Sequence, residues 1–460
     1  MIFSPDRFLT TSLRDSSMGE NICEILSAAM NQADAEAAIK NTVLRDANWI
    51  IISNERINFN NYKRIFILGA GKAVVPMAYA ISNILGTALT RGAIITKDGY
   101  LDRTLYPIPN RIEVLEAGHP IPDQRNLQAS SSILALAQNL QGDDLIICLI
   151  SGGGSSLLIK PSSGLSLQDI QAVTTLLLSC GASIDEINTI RKHLDGFKGG
   201  GLARLLYPAT VISLILSDVI GDHLDMVASG PTVADSTTFG AAWVLLEKYQ
   251  IVDQVPHAVQ AHLKDGRSGR LPETLKPGDP MLDKVHNLLV GNNTQVVKAA
   301  SQAAQNLGFI TKIETTTLQG EASNVGQMLA ETALLMLKQR NNIGQPSCLI
   351  TGGETTVTIK GSGKGGRNQE LALGSVVSLS ATEHPLILVS MATDGGDGPT
   401  DAAGAVATNL TFSRGAALSL HPEDFLQRND AYHYFARLGD LIKTGPTLTN
   451  VNDLVMIFIA

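Results

Sequence analysis

The stretch RIFILGAGKAVVPMAYAISNIL, Arg64–Leu85, decides the fold. Ile65 to Leu68 form a short apolar run, Gly69-Ala70-Gly71 a tight turn, and the residues after Lys72 repeat apolar positions at helical spacing. Strand, glycine turn and helix in succession are the opening of a parallel crossover. The same grammar returns at Gly92 to Thr96, Ile112 to Glu116, Leu145 to Ile150 and Val211 to Leu216. Buried strands alternating with helices predict an α/β fold with a mostly parallel sheet covered on both faces. Ligands of such sheets gather beyond the carboxyl ends of the strands, where the glycine-rich segments of this chain stand.

Working outward, Asn21 to Ile52 carries apolar residues at helical spacing and predicts an opening helical layer. Residues 1–20 read as an N-terminal extension and 21–245 as the first α/β domain. Between Asp235 and Asp283 the periodicity gives way to prolines, glycines and mixed charge, which places a junction at 246–285. The runs HNLLVGNNTQ, SCLITGGETTV, PLILVSMATDGGDG and NDLVMIFIA then make 286–460 a second α/β domain.

Composition narrows the function. A chain of 460 residues is long enough for two cores. Its formal charge of −8 supplies no overall basic field for a nucleic-acid backbone or anionic lipid, so neither partner is expected. The start MIFSPDRFLTTS lacks a basic stretch followed by an apolar core, and the four scattered cysteines suit a reducing compartment, so a cytoplasmic protein is expected. No Cys/His cluster has zinc spacing. Glycine, at 42 residues, exceeds the average of about 7% and is clustered, as expected where backbone approaches a ligand.

Five segments carry chemistry. ILGAGKA presents Gly69, Gly71 and Lys72 at a strand-to-helix turn, a good anion site. It is not a dinucleotide fingerprint, since Val74 stands where the third glycine belongs and the next strand ends in Thr96 and Lys97. Nor is it a Walker A loop, since Ala73 follows the lysine. LISGGGSSLL sets Ser151, Gly152, Gly153, Gly154, Ser155 and Ser156 after a buried strand, the makings of a phosphate-cradling nest. LILSDVIGDHLD delivers Asp218, Asp222 and Asp225 for Mg²⁺ binding or proton acceptance, and Asp218 follows the apolar run most directly. Just upstream, Lys192 and Lys198 read equally well as surface charges. In the second half, Gly352, Gly353 and Glu354 precede GSGKGGRNQE, whose Arg367 is aimed at an anion, and TDGGDGPTD places Asp394, Asp397 and Asp401 on a glycine-rich acidic loop.

In this order, GAGKA, SGGGSS, KGGGLA, SDVIGD, TGGETTV, GKGGRNQE, TDGGDGPTDAAGA and TGPTLTNVNDL resemble the glycerate 2-kinase family, whose C-terminal portion is the MOFRL domain. The resemblance runs from about Asn21 to the end. It implies two α/β domains, the first Rossmann-like, with the active site in the cleft between them. It further implies ATP-dependent phosphorylation of D-glycerate to 2-phosphoglycerate, with Lys72 and Arg367 facing the cleft. In that setting Lys72, Arg367 and Asp218 are the expected catalytic residues. ATP is expected on Gly69, Gly71, Ser151 to Ser155 and Gly352 to Glu354, and Mg²⁺ or another divalent cation on Asp222, Asp394 or Asp397. The alternatives are an NAD(P)-dependent hydroxypyruvate reductase, which binds a similar acid, and a non-catalytic sensor of phosphorylated metabolites. The sequence leaves the oligomeric state open, a homodimer included.

Overall fold

The computed structural model describes residues 3–52, 55–339 and 345–460. They form two compact units, Ala38–Val290 and Met1–Ala37 joined with Gly291–Ala460. The apolar runs of the first half become a six-stranded sheet in the order Ile112–Ala117, Leu89–Lys97, Arg64–Ala70, Asp144–Ile150, Thr210–Leu216, Val285–Gly291. The first five strands are mutually parallel. The central runs are almost wholly apolar because both sheet faces are covered: Leu145–Ile150 and Val211–Leu216 are buried at every position, whereas the edge strand Ile112–Ala117 mixes buried and exposed residues. One layer packs Phe66, Leu68, Ile146 and Cys148 against Ile133 and Leu202. A separate helical core in the same unit joins Leu177, Ile190, Leu194 and Trp243 to Val259 and Leu263.

The other unit holds a six-stranded sheet in the order Ile310–Leu318, Ser347–Gly353, Asp453–Ile459, Leu386–Ala392, Gly404–Thr408, Leu441–Ile442. It is α/β but mixed: the Ile310–Leu318 and Ser347–Gly353 strands are parallel, and the remaining pairings are antiparallel. The C-terminal strand inserts into the middle of the sheet, which puts Asp453 opposite both Gly353 and Ala392.

Three boundaries differ from the sequence reading. Residues 3–20 are folded rather than a loose extension: Phe3, Phe8 and Leu13 are buried, and Ser12 donates from N and Oγ to Asp440 at 2.7 and 2.8 Å. The expected helical layer over 21–52 consists of the helices Gly19–Ala33 and Ala35–Thr42 and ends there, and Val43–Asp46 pairs with Trp49–Ile52 as an antiparallel hairpin. Val43 and the Ile50-Ile51-Ile52 run favour strand, and Ala47 takes a positive φ of 51° in the turn. The expected junction at 246–285 lies inside the first unit, where the helix His257–Arg267 buries Val259 and Leu263. Among the described residues, no helix is long and apolar enough to cross a membrane.

Candidate active site

In the Ala38–Val290 unit, register builds the site. Ala70 lies opposite Ile150, and Ile150 opposite Ile215, so the chain leaves three neighbouring strands at one level. The two glycine turns that follow are laced together. Lys72 N donates to the Gly152 carbonyl at 2.8 Å, Ala73 N to Ser151 Oγ at 3.0 Å, and Ser151 N to the Ala70 carbonyl at 3.3 Å. Two glycines are obligatory there. Gly71 has φ +146°, and a Cβ on it would lie 2.1 Å from Ser151 Oγ. Gly153 has φ +83°, and a Cβ on it would lie 2.9 Å from His119 Nε2 and 3.3 Å from Lys72 Cγ. Lys72, His119 and the SGGGSS turn are therefore one constellation at the carboxyl edge of a parallel sheet. Asp218 leaves the neighbouring strand at the same edge, half-buried, within a turn in which Val219 N donates to Ser217 Oγ at 3.2 Å.

Behind this edge lies a charged layer that the sequence reading missed. Lys192 and Lys198 are not surface charges: both are buried. Lys192 Nζ reaches Asp225 at 3.0 Å and Asp235 at 3.4 Å, and Lys198 Nζ reaches Asp195 at 3.0 Å. Burial pushes the Lys198 pKa down, against the pull of Asp195. Asp235 is buried too, but the Lys192 charge and the Thr237 hydrogen bonds outweigh burial and hold its carboxyl below the usual range. Asp225 is thus an ion-pair partner. Ser155 belongs to a hydroxyl chain, its Oγ 2.7 Å from Ser229 Oγ, which donates to Asn188 Oδ1 at 2.8 Å.

In the other unit, the mixed sheet delivers Asp453 to Arg367. The guanidinium donates from Nε to Asp453 Oδ2 at 2.6 Å and from Nη2 to Oδ1 at 2.9 Å, while Nη1 meets Glu354 Oε1 at 2.7 Å. Burial disfavours the arginine's charge, but the two carboxylates more than offset it and its pKa is raised. Three of five guanidinium donors are held, leaving two N–H groups for a ligand. Glu354 is hence an arginine-orienting group in this structure. Gly352 and Gly353 are required by packing: a Cβ would meet Asn293 Oδ1 at 1.8 Å and the Leu318 backbone at 2.3 Å, respectively.

Asp397 departs from its expected metal role. It is buried and caps the helix Arg367–Leu379, accepting from Asn368 N at 3.1 Å and Gln369 N at 2.8 Å. Gly366 at the helix start has no side chain to do this. Burial raises the Asp397 carboxyl to about 7, against the pull of those two N–H groups. Asp401, on the same loop, accepts from Tyr432 Oη at 2.6 Å and Lys443 Nζ at 2.9 Å. Asp394 stays half-buried and accepts from Gly396 N at 3.1 Å, and Asp222 is half-buried in the first unit. Among the described residues no three His, Cys, Asp or Glu side chains gather as a metal cage.

In this α/β protein each unit thus carries a basic residue beside glycine-rich backbone: Lys72 at the carboxyl edge of the parallel sheet, and Arg367 at the start of a helix beside the mixed sheet. Residues 21–264 match a domain of unknown function, DUF4147, and residues 347–453 match the MOFRL family. The glycerate 2-kinase of Pyrococcus horikoshii is 40% identical over 94% of this chain and 95% of its own length. The D-glycerate 2-kinase of Thermotoga maritima is 41% identical over 86% of this chain and 91% of its own. A solved glycerate kinase from Thermotoga maritima superposes with a TM-score of 0.82 at 39% identity, covering 95% of this chain and 98% of that one. A relative from Agrobacterium vitis, 39% identical over 86% of this chain and 87% of its own, carries the name of a hydroxypyruvate reductase. The chain belongs to the glycerate 2-kinase family that joins a DUF4147 domain to a MOFRL domain.

Proposed function

We propose that this protein is an ATP-dependent kinase that phosphorylates D-glycerate at its 2-hydroxyl, giving 2-phosphoglycerate and ADP. The observation that carries the reading is the lacing of the Lys72 main chain to the SGGGSS turn, which sets a lysine beside a glycine-rich turn of the kind that cradles phosphate. Phosphoryl transfer asks mainly for positioning and neutralised charge. Gly71 and Ser151 to Ser155 cradle the ATP phosphates. Lys72 neutralises charge on the phosphates beside its turn, the two N–H groups of Arg367 left over among the described residues are offered to an anionic group of the reactants, and Glu354 and Asp453 orient the arginine. Asp218 takes the proton of the 2-hydroxyl as that oxygen bonds the γ-phosphorus and the bond to the β,γ-bridging oxygen breaks, with ADP leaving.

Asp222 and Asp394 are hard oxygen donors on loops past strand ends, suited to Mg²⁺, which takes one or two carboxylates and otherwise water and phosphate. Either would hold the ion, and a divalent cation bound there offsets phosphate charge. The reductase reading has no support in these residues. Val74 replaces the third glycine, and the strand beside Arg64–Ala70 ends in Thr96 and Lys97 without an acid for a ribose. Incubating the protein with Mg-ATP and D-glycerate should release ADP, and phosphorus NMR coupling should identify 2-phosphoglycerate. NADH-dependent reduction of hydroxypyruvate without ADP release would refute the kinase reading.

A further inference from the structure

Within the Ala38–Val290 unit, a cavity of about 360 Å³ opens beside the SGGGSS turn, with Ser155 and Ser156 in its wall. Its other walls are mostly apolar: Pro122, Ile159 and Ile170 line it, and Ile121 and Leu178 stand at its rim 71% and 62% exposed. Large aliphatic side chains held in water beside a cavity are a surface prepared for an apolar body. Three charged groups also line it. Asp195 and Lys198 neutralise each other at 3.0 Å, and Asp195 further accepts from Lys160 N at 3.0 Å and Phe197 N at 2.9 Å. Arg191, in the last turn of the helix Ile184–Leu194, has no such partner: among the described residues it makes no hydrogen bond or ion pair. Burial lowers its pKa, and nothing offsets that burial. A half-buried guanidinium kept uncompensated against apolar walls is destabilising unless an anion completes it.

We infer that this cavity binds the nucleoside-phosphate donor, its purine against Ile121, Ile159 and Leu178 and a phosphate on Arg191. The inference rests on the kinase reading and deepens it. Size and polarity select the nucleotide over the acceptor acid. Glycerate carries oxygen on each of its three carbons, so apolar walls would only desolvate it, whereas a purine presents an apolar face to them. Adjacency to the proposed phosphate cradle, through Ser155 and Ser156, gives the phosphate chain a continuous path.

The test is calorimetric titration of the full chain with ADP and with adenosine, in the absence of glycerate, for the parent, Arg191→Gln and Thr174→Trp. Thr174 lines the cavity, and an indole there would fill it. Loss of a charge-assisted phosphate contact should weaken ADP by roughly 10- to 100-fold in Arg191→Gln and leave adenosine unchanged. Thr174→Trp should weaken both ligands. Unchanged ADP affinity in both variants, in a parent that turns over glycerate, overturns the inference and leaves the kinase reading intact. A raised KM for glycerate with unchanged ADP affinity assigns the cavity to the acceptor and overturns it too. If Arg191→Gln fails to fold, Thr174→Trp decides alone. A parent that neither binds ADP nor turns over glycerate removes the kinase reading itself.

Discussion

The two units order their cations by opposite means. Around Lys72 the backbone does the work: adjacent parallel strands set two glycine turns in register, and turn-to-turn hydrogen bonds fix the lysine's main chain. Around Arg367 side-chain charge does it: Asp453 and Glu354 clamp the guanidinium, and Asp397 caps the helix that carries it. The difference follows from the sheets. Parallel strands release their loops together at one edge, so glycine turns can meet there. In the mixed sheet, the central C-terminal strand instead begins at that level and contributes its own first residue, Asp453. Backbone-held sites should therefore fail by steric change, and charge-held sites by loss of a carboxylate.

The largest effect should come from the chemistry at the parallel edge. Asp218→Asn keeps shape but removes the proton acceptor, and kcat should fall by roughly 10²- to 10⁴-fold. A near-normal rate in a folded variant would reduce Asp218 to a turn residue. In the clamp, Asp453→Asn leaves one fewer charged acceptor for Arg367, and the misplaced guanidinium should lower kcat/KM by roughly 10²-fold. If glycerate turnover is unchanged, Arg367 does not depend on Asp453 for its orientation.

A smaller effect sharpens the backbone-held half. Gly153→Ala must bear a positive φ costing about 1–2 kcal/mol and push against His119 and Lys72. Urea unfolding should show that loss, and ATP affinity should fall with it. Serine at Gly153 with parental affinity would show that the turn has room to spare.

How much of this was legible beforehand divides along the same line. Runs such as Leu145 to Ile150 announce buried strands because a sheet covered on both faces tolerates no polar alternation. Gly71 and Gly153 stand out because glycine clusters mark backbone that a side chain would obstruct. Asp453 was out of reach, since the central place of the last strand depends on pairing across about a hundred residues of chain, which local pattern does not encode. Lys192 and Lys198 read equally well as surface charges, although both are buried against aspartates that are distant in sequence or hidden in a turn. Aspartates on glycine loops look alike in sequence, so a cap, Asp397, was read as a ligand.

A pair of pH responses with opposite sign reads stability rather than catalysis. Asp397, raised by burial to about 7 from 3.8, binds its proton more tightly in the native state. Its contribution is complete below the unfolded value and is lost as pH rises toward 7, on the order of 4 kcal/mol at most. His193 is lowered from 6.5, chiefly by burial and against the pull of Thr189, Asp235 and Glu273. Its contribution is lost as pH falls below 6.5. Urea unfolding across this range should show the parent losing ground to Asp397→Asn as pH rises, and to His193→Gln as pH falls. A pH-independent difference in either pair would contradict the assignment.

We propose that the backbone-held lysine and the carboxylate-held arginine both serve the phosphoryl transfer, and a double-mutant cycle with Lys72→Ala and Arg367→Lys measures whether they act together. Lysine at Arg367 cannot satisfy two carboxylates and still present paired N–H groups, so each single variant should lose activity sharply while remaining folded. If both cations act on the same transition state, the double variant should lose less than the product of the single losses. Strictly multiplicative losses, or full activity in either single variant, would contradict the claim.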